Sequence, residues 1–363
     1  MLSEQLSVYK EKRVLVTGNT GFKGSWLCQW LLKLGAEVFG YALEPPTQPS
    51  LFRQLSLEGA IRNKTEDICN YPEFKSFITA VKPDIIFHLA AQSLVRPSYE
   101  DPLGTFQTNV MGTANLLEAI RESGIRTTVI LVTSDKCYEN NEWLFGYREV
   151  DPLGGYDPYS ASKGAAELVI SSWRRSFFNP IYFDRHGVKI ASVRAGNVIG
   201  GGDWAKDRIV PDCIRYLTDT GIIKVRNPKA TRPWQHVLEP LGGYLVLGSR
   251  LFKSEGRELE LLSSAFNFGP IISSNRSVEV LVGEILKYWG SGTWETPDQE
   301  AVHEASLLNL TIDKAYHLLN WQPLWDFETT IQKTVEWYHI MYEAPEQIIS
   351  KTVHQIEEYM NSF

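Results

Sequence analysis

The chain has 363 residues, of which 43% are hydrophobic and 22% charged, a composition typical of a globular protein with one or two domains. Its formal net charge of −7 argues against a general nucleic-acid-binding or membrane-surface role, although it is compatible with a local basic pocket for an anionic small molecule. No segment approaches the roughly 20 apolar residues of a membrane span, no signal-peptide core begins the chain, and the four cysteines are scattered. We therefore expect a reduced, cytoplasmic protein with no metal site, no nucleic-acid partner and no membrane anchor.

The first two-thirds of the sequence alternates apolar strand-like runs with helical stretches. The strand candidates are nearly continuous in Val, Ile and Leu, as strands buried on both faces of a parallel sheet are; they are RVLVTG, EVFGYAL, DIIFHLAA, TTVILVTS and VKIASVRAG. The helix candidates between them are GSWLCQWLLKLG, FKSFITAVK, TNVMGTANLLEAIRESG and SASKGAAELVISSWRRSF. This order predicts an α/β fold built on a Rossmann-type, doubly wound parallel sheet.

The pattern changes at about Gly200, where shorter elements are separated by Gly, Pro and Asn. We predict a dinucleotide-binding Rossmann domain over residues 1–200, to which parts of the later chain return. Residues 201–363 are predicted to form mainly a smaller C-terminal α/β substrate-binding lobe. Ligands of such sheets bind outside the carboxyl ends of the strands, and the motifs described below follow those ends.

A glycine-rich turn joins the first strand to the first long helix. VLVTGNTGFKGSWL places Gly18, Gly21 and Gly24 in a G-x-x-G-x-x-G spacing. Glycines at these positions let the backbone turn tightly and approach a pyrophosphate, whose charge is favoured by the helix N-terminus. With Thr20 and Phe22 in the same turn, they are the first predicted cofactor-binding residues.

The end of the second strand lacks the acidic residue that usually holds the adenosine ribose. Ala42 or Leu43 occupies that position, and Glu44 lies slightly beyond it. No Arg occupies the same strand end, which favours NAD as the cofactor and leaves NADP as the alternative. The TEDI segment further on predicts a loop that places Asp67 and Ile68 against the adenine.

The FHLAAQSLV segment ends the strand candidate DIIFHLAA in small residues. Leu89, Ala90 and Ala91 are predicted to let the backbone pass close to the cofactor. His88 precedes them in the apolar part of the run, and we interpret it as a packed core histidine rather than a catalyst.

Tyr159 and Lys163 lie four residues apart at the start of a helix candidate, so both project from one face. A tyrosine with a pKa of about 10 is a poor base at neutral pH. A neighbouring ammonium and a positive nicotinamide ring both favour the phenolate. Tyr159 is therefore the predicted base that takes a proton from a substrate hydroxyl while hydride leaves for the nicotinamide.

These motifs together resemble the extended short-chain dehydrogenase/reductase superfamily of nucleotide-sugar enzymes. The resemblance covers most of the chain, since HLAA, NVMGT, VRAGNVIGGGDW, RPWQHVLEPLGGYLVL and LNWQPLWDFETTI are all similar to segments of that superfamily. It implies a bound NAD that Asn109 also contacts, and a structural role for Arg194. It further implies contacts to the nucleotide sugar from Ser93, Asn197, Arg208 and Arg232.

Three polar residues, Ser134, Asp135 and Lys136, follow a buried strand in LVTSDKCYEN. Epimerases of the superfamily usually carry only the Ser or Thr here, whereas the 4,6-dehydratases add an acid and a base. The Ser-Asp-Lys version resembles the branch that acts on CDP-glucose, and AAQSLVRPSYEDP is similar to the GDP-mannose branch. GDP-mannose or dTDP-glucose 4,6-dehydratase, a nucleotide-sugar 4-epimerase and a non-catalytic dinucleotide sensor remain the alternatives.

The resemblance implies a hydro-lyase reaction by internal redox, in which hydride passes from the sugar 4-position to NAD and returns to C-6 as water leaves. Such a reaction opens the route to the dideoxysugars of bacterial O-antigen. By resemblance Asp135 is the acid at the 6-hydroxyl and Lys136 the base at C-5. The competing hypothesis keeps Lys136 charged to stabilise an enolate, while the Tyr159 phenolate takes the C-5 proton.

The two helix candidates that carry Asn109 and Tyr159 are apolar on more than one face. In the superfamily such helices pair across a two-fold axis into a four-helix bundle. We therefore expect a homodimer, with a tetramer as the alternative, and a small nucleotide-sugar substrate, CDP-glucose, as the other partner.

Overall fold

The computed structural model describes residues 2–297 and 307–362; Met1 and residues 298–306 and 363, the last ten of which belong to the predicted lobe, lie outside the described residues. The strands are β1 Arg13–Thr17, β2 Glu37–Ala42, β3 Arg62–Thr65, β4 Ile85–His88, β5 Thr127–Val132, β6 Val188–Ala195, β7 Val198–Ile199, β8 Ile222–Lys224, β9 Thr231–Pro233, β10 Gln235–His236, β11 Ala265–Phe268, β12 Asn275–Ser277 and β13 Thr293–Glu295. The α-helices are α1 Leu2–Leu6, α2 Phe22–Lys33, α3 Leu51–Gln54, α4 Leu57–Ala60, α5 Tyr71–Val81, α6 Val95–Glu100, α7 Pro102–Phe106, α8 Gly112–Ser123, α9 Pro158–Ser176, α10 Phe183–His186, α11 Ile209–Asp219, α12 Leu238–Lys253, α13 Gly256–Leu262, α14 Val278–Trp289, α15 Asp313–Leu319, α16 Phe327–Glu343 and α17 Ile348–Asn361.

The central sheet of the described chain has seven strands in the order β3-β2-β1-β4-β5-β6-β11, and each neighbouring pair is parallel. The five strands predicted from sequence are β1, β2, β4, β5 and β6. The predicted fold class, a Rossmann-type doubly wound sheet, is confirmed. The sequence analysis missed β3 and β11, because β3 is the polar segment RNKT and β11 has only four residues.

Helices cover both faces of this sheet, as the continuous apolarity of its strands requires. In β1, Val14 and Val16 pack into the core that contains α2 and α12, whereas Leu15 packs into the core on the opposite face, with α5 and α8. Successive residues of a strand point to opposite faces, so both faces need apolar side chains. The carboxyl edge of the sheet is left for the polar residues of a site.

The later chain is divided between the sheet and smaller elements. Helix α12 packs against β5 and β6 with α13 against α12, and strand β11 pairs with β6. Three two-stranded ladders, β7–β10, β9–β12 and β8–β13, lie in the described part beyond β6 with α11, α14 and α16. The boundary at residue 200 stays a prediction.

The helix predicted for TNVMGTANLLEAIRESG has a different form from the one expected. A π-helical segment, Gln107–Met111, connects α7 to α8. The side chain of Asn109 in this segment bonds to the backbone of Gln92, a contact that joins it to the loop after β4. Within the described residues, no helix has both the length and the apolarity needed to cross a membrane.

Candidate active site

The polar residues singled out in the sequence follow neighbouring strands at one edge of the sheet. Gly18 follows β1, Ala90 lies just beyond β4, Ser134 follows β5 after one residue, and Gly196 follows β6. Because these strands are parallel and adjacent, their carboxyl ends meet at the same edge. The order of the strands in the sheet, and not the motifs alone, therefore brings these residues together.

The glycine turn brings backbone into close contact where a side chain could not fit. Gly18 has φ +71°, and a Cβ added there would lie 2.8 Å from the backbone nitrogen of Ala90. A Cβ at Gly24 would lie 2.2 Å from the carbonyl oxygen of Gly18. Gly21 precedes the first residue of α2, whose first N–H groups have no partner within the helix. Such a turn at a helix N-terminus could hold a pyrophosphate, and its contact with the cofactor stays a prediction.

An asparagine pair lies beside Gly40 of β2, formed by Asn19 of the glycine turn and Asn63 of β3. The Nδ2 of Asn19 donates to Oδ1 of Asn63 over 2.8 Å, and Oδ1 of Asn19 is buried without a hydrogen-bond partner among the described residues. An unpaired buried acceptor suits a donor such as a ribose hydroxyl. Arg53, a cation near the end of β2, is already paired with Glu44 at 3.4 Å and with Glu58 at 3.3 Å.

The loop after β3 places Ile68 against the start of α8. A Cβ at Gly112 would lie 2.3 Å from Cδ1 of Ile68, so glycine is needed for this packing. Asp67 accepts a hydrogen bond from the backbone N–H of Cys69 over 2.8 Å, which fixes the turn. The contact of Asp67 and Ile68 with adenine stays a prediction. The cofactor contacts of Leu89, Ala90 and Ala91, which are half-buried, also stay predictions. So does that of Thr20, whose hydroxyl donates to the carbonyl of Leu43 over 3.0 Å.

His88 is a packed core residue, as the sequence analysis expects. It is buried, and its Nδ1 lies 2.8 Å from the hydroxyl of Thr17. Burial and the charge of Lys163 lower its pKa to about 3, so the ring stays neutral at physiological pH.

Tyr159 and Lys163 project into the site from the first turns of α9. The Lys163 ammonium lies 6.0 Å from the centre of the Tyr159 ring, and both residues are buried. Burial raises the pKa of Tyr159 to about 12, although a hydrogen bond with Ser134 acts in the opposite direction. Burial lowers the pKa of Lys163 to about 8. In the protein alone, burial thus opposes the phenolate, and the positive nicotinamide ring of the sequence-based expectation would act in the opposite direction.

The segment Asp135–Cys137 forms a single 3₁₀ turn directly after Ser134. The Ser134 hydroxyl donates to Oδ1 of Asp135 over 3.0 Å and accepts from the backbone N–H of Lys136 over 3.2 Å. Asp135 is buried and Lys136 half-buried, and their side chains form no salt bridge with each other. Burial raises the pKa of Asp135, whereas the ammonium groups of Lys136 and Lys23 lower it. A neutral carboxyl at this position can donate a proton.

Lys23 is a charged residue of the site that the sequence analysis missed. It is the second residue of α2, and its charge interacts with Asp135, Lys163 and Arg208. Burial and the neighbouring cations lower its pKa to about 8. A lysine at a helix N-terminus is disfavoured by the helix dipole, and this mismatch is the sequence signal that could have identified it.

Asn109 has protein partners for its amide. Its Nδ2 donates to the hydroxyl of Ser162 over 2.8 Å and to the carbonyl of Gln92 over 3.0 Å, and its Oδ1 accepts from the Gln92 N–H over 2.9 Å. Ser162 in turn donates to the carbonyl of Tyr159 over 2.7 Å. Asn109 therefore positions α9, and its direct contact with the cofactor stays a prediction.

The predicted substrate-binding residues lie in different parts of the edge. Arg208, directly before α11, pairs with Asp203 at 2.9 Å, and its charge also acts on Tyr159. Ser93 is exposed in the loop after β4, and Asn197 lies half-buried between β6 and β7. Arg232 lies on β9, where its guanidinium donates to the carbonyl of Thr231 over 2.8 Å. The structure thus brings Arg208 to the Tyr159 side of the site.

Arg194 is buried, as its expected structural role requires, and pairs with Glu167 at 2.9 Å.

A pocket of about 300 Å³ is lined by Gly196, Pro233, Asn275, Thr311 and others. A Cβ added at Gly196 would lie 3.0 Å from Oδ2 of Asp135, so this pocket reaches the backbone behind the acid. In residues 2–297 and 307–362, no three His, Cys, Asp or Glu side chains are grouped to hold a metal ion.

Comparisons with known proteins agree with this architecture. A family model described as GDP-mannose 4,6 dehydratase matches residues 15–240. The CDP-glucose 4,6-dehydratase of Salmonella typhimurium is 47% identical, over 98% of this chain and 98% of that protein. An epimerase structure from Methanothermobacter thermautotrophicus has a TM-score of 0.78 at 22% identity, covering 96% of this chain and 98% of that one. A dTDP-glucose 4,6-dehydratase from Streptomyces venezuelae, solved with NAD bound, has a TM-score of 0.75 at 22% identity, covering 92% and 99%.

The two solved structures establish the shared fold, and the Salmonella relative extends the likeness over nearly the whole length of both proteins. The family match includes the glycine turn, the Ser134 turn and the Tyr159–Lys163 helix. The chain therefore belongs to the GDP-mannose 4,6-dehydratase family, within the extended short-chain dehydrogenase/reductase superfamily.

Proposed function

We propose that the protein is an NAD-dependent CDP-glucose 4,6-dehydratase, a hydro-lyase that converts CDP-D-glucose to CDP-4-keto-6-deoxy-D-glucose and water. Its 47% identity to a CDP-glucose 4,6-dehydratase over 98% of the chain supports this substrate. The product is a precursor for dideoxysugar and O-antigen synthesis. GDP-mannose and dTDP-glucose remain the substrates to be tested against CDP-glucose.

The observation that carries the proposal is the buried carboxyl of Asp135. It lies one residue after Ser134, whose hydroxyl donates to it over 3.0 Å, and burial raises its pKa. A 4-epimerase transfers hydride and protons at one carbon and has no leaving hydroxyl to protonate. A dehydratase needs an acid at this position.

The residues at the carboxyl edge fit NAD. Gly18, Gly21 and Gly24 would hold the pyrophosphate, the unpaired Oδ1 of Asn19 would face the ribose, and Arg53 is already paired with glutamates, which disfavours the extra phosphate of NADP. NAD held there would supply a reversible hydride acceptor, and its positive charge would favour the phenolate of Tyr159.

In the redox half of the cycle, Tyr159 takes the proton of the sugar 4-hydroxyl. Burial raises its pKa to about 12, so positive charge must act on it. The charge of Arg208 lowers that pKa, and Lys163, 6.0 Å from the ring centre, would add to this effect. Ser134, directly before Asp135, would align the same hydroxyl. We assign Tyr159, Ser134 and Lys163 to this half.

In the elimination half, Asp135 donates a proton to the departing 6-hydroxyl and Lys136 takes the C-5 proton. From ordinary pKa values of about 3.9 and 10.4, a neutral Asp beside a neutral Lys costs roughly 9 kcal/mol in water relative to the ion pair. Burial of Asp135 reduces that cost, whereas the charge of Lys136 acts in the opposite direction. The competing assignment, with Tyr159 taking the C-5 proton, is tested by the Lys136 variant discussed below.

We also propose that the protein is a cytoplasmic homodimer, with a tetramer as the alternative. Large apolar side chains are exposed along α7, the π-helical segment, the middle of α9 and the residue after it: Leu103, Phe106, Met111, Leu168 and Phe177. Exposed apolar surface on paired helices is typical of an oligomer interface. Replacing Leu103 and Leu168 by Glu should convert the dimer to a monomer in light scattering, and an unchanged mass would contradict this interface.

Incubation with CDP-glucose tests the proposed activity. The 4-keto-6-deoxy product gives a chromophore in alkali, and we expect it to form without any added reductant or oxidant beyond NAD. Formation of the C-4 epimer without a keto product would contradict the proposal.

A further inference from the structure

A buried ion pair between Glu167 on α9 and Arg194 on β6 holds the residues on either side of the catalytic turn Ser134–Lys136. The two side chains are only 3% and 4% exposed, and Nη2 of Arg194 lies 2.9 Å from Oε2 of Glu167. At the start of the turn, the Thr133 hydroxyl donates to Oε1 of Glu167 over 2.6 Å. Glu167 thus ties the strand end before Ser134 to α9.

The end of the turn is held by the other partner of the pair. Nη1 of Arg194 donates to the hydroxyl of Tyr138 over 2.8 Å, and its guanidinium lies 4.9 Å from the centre of the Tyr138 ring. Tyr138 in turn donates to Oδ1 of Asn267 on β11 over 2.7 Å. We call the set Thr133, Tyr138, Glu167 and Arg194 the turn clamp.

The charges of the clamp persist in the core because they are hydrogen-bonded. Burial raises the pKa of Glu167, but Arg194 and the hydroxyls of Thr133 and Ser192 outweigh it and hold that pKa below its usual range. Each oxygen of the Glu167 carboxylate accepts a hydrogen bond from a hydroxyl, since Ser192 on β6 donates to Oε2 over 2.9 Å. A pair satisfied in this way resists displacement, so it can fix the turn in one position.

Tyr159 is positioned by a separate set of contacts. Its backbone N–H donates to the hydroxyl of Ser98 over 3.2 Å, and its carbonyl accepts from Ser162 over 2.7 Å. Ser162 is held in turn by Asn109, and the N-cap Asp157 accepts from the backbone of Ser160 over 2.9 Å. None of these bonds includes a member of the turn clamp.

We propose that the Arg194–Tyr138 contact of the turn clamp positions Asp135 and Lys136 for water elimination, independently of the contacts that position Tyr159 for sugar oxidation. The Glu167–Thr133 contact adjoins Ser134 and lies on α9, so it acts on both halves of the cycle. The inference rests on the proposed dehydratase function. Loss of the Tyr138 bond should therefore slow the elimination half of the cycle and leave the oxidation half nearly unchanged. Reacting groups that move by fractions of an ångström lose rate steeply, which makes the two halves separable.

Single hydrogen-bond deletions test this without leaving either clamp charge unpaired, unlike a Glu167→Ala change. Thr133→Val removes the bond from Thr133 to Glu167, and Tyr138→Phe removes the bond from Arg194 to Tyr138. Ser192→Ala is the matched control, because it removes a bond to the same Glu167 carboxylate from a residue that does not join the turn. The holoenzyme with CDP-glucose is followed in a single turnover for reduction of the bound cofactor and for keto product, and each variant is also melted.

We expect Tyr138→Phe to slow product formation by about tenfold while cofactor reduction stays within about twofold of the wild-type rate, and Thr133→Val to slow both steps. Ser192→Ala should leave both rates within about twofold, with a melting temperature lowered about as much as that of Thr133→Val. Equal losses in product rate for Tyr138→Phe and Ser192→Ala, or parallel losses in both steps for Tyr138→Phe, would overturn the inference alone. A wild-type protein that forms no keto product would overturn the proposed function and this inference with it.

Discussion

Replacing Gly196 by Ala is a direct probe of how closely the Asp135 carboxyl must be placed. The added Cβ would lie 3.0 Å from Oδ2 of Asp135 and 3.6 Å from Cγ of Pro233. The first distance is shorter than ordinary contact, so the carboxyl must move by a few tenths of an ångström. If a 1 Å misplacement of a reacting group costs about 100-fold in rate, this displacement predicts a loss of about fivefold, or about 1 kcal/mol, in the elimination step.

The assay for Gly196→Ala measures keto product from CDP-glucose and reduction of the bound cofactor in the same single turnover. Gly283→Ala on α14 is the matched control, because a Cβ there would meet no heavy atom within 4 Å. Its product rate should equal that of the wild type, and its helix should be stabilised by up to about 1 kcal/mol. A Gly196→Ala enzyme with the product rate of Gly283→Ala would refute the placement of Asp135 as the acid.

Three further changes test the charges of the site and of the fold. Replacing Lys23 by Met removes a cation that lowers the pKa of Asp135, so the carboxyl should stay protonated to higher pH. The alkaline limb of the kcat–pH profile should then move to higher pH. An unmoved limb would contradict the electrostatic interaction between Lys23 and Asp135. In Lys136→Met, exchange of the C-5 proton with deuterated solvent and water loss should vanish together; exchange that survives without water loss assigns that proton to Tyr159. Burial raises the pKa of Glu239 from 4.5 to about 7, so the folded chain keeps a proton that the unfolded chain releases. Its unfolding free energy should therefore fall by about 3 kcal/mol as pH rises from 4.5 to 7, and Glu239→Gln should flatten this slope in urea titrations.

The sheet and the site edge could be predicted because their signals are local. Strands buried on both faces need continuous apolar runs, and β1, β2, β4, β5 and β6 have them. The β3 segment RNKT lies at the edge of the sheet with mostly exposed residues, so it carries no such signal. The parallel order then brings Gly18, Ala90 and Ser134 to one edge without any long-range information in the motifs themselves.

Contacts between distant parts of the chain could not be predicted in the same way. Lys23 and Asp135 interact across the sheet edge, and Arg194 and Glu167 meet from a strand and a helix. No spacing rule connects such pairs. The sequence analysis named the charges that favour the Tyr159 phenolate, but the extent of burial, which opposes it, could not be seen in the sequence.

The central claim, that this site dehydrates CDP-glucose, is tested most directly by a substrate panel. CDP-, dTDP-, GDP- and UDP-hexoses are incubated with the protein and NAD, and each product is analysed for a 4-keto-6-deoxy sugar. We expect CDP-glucose to give this product with the highest kcat/KM and no net reduction of NAD. A preference for another nucleotide, or a CDP-hexose epimer without loss of water, would contradict the account.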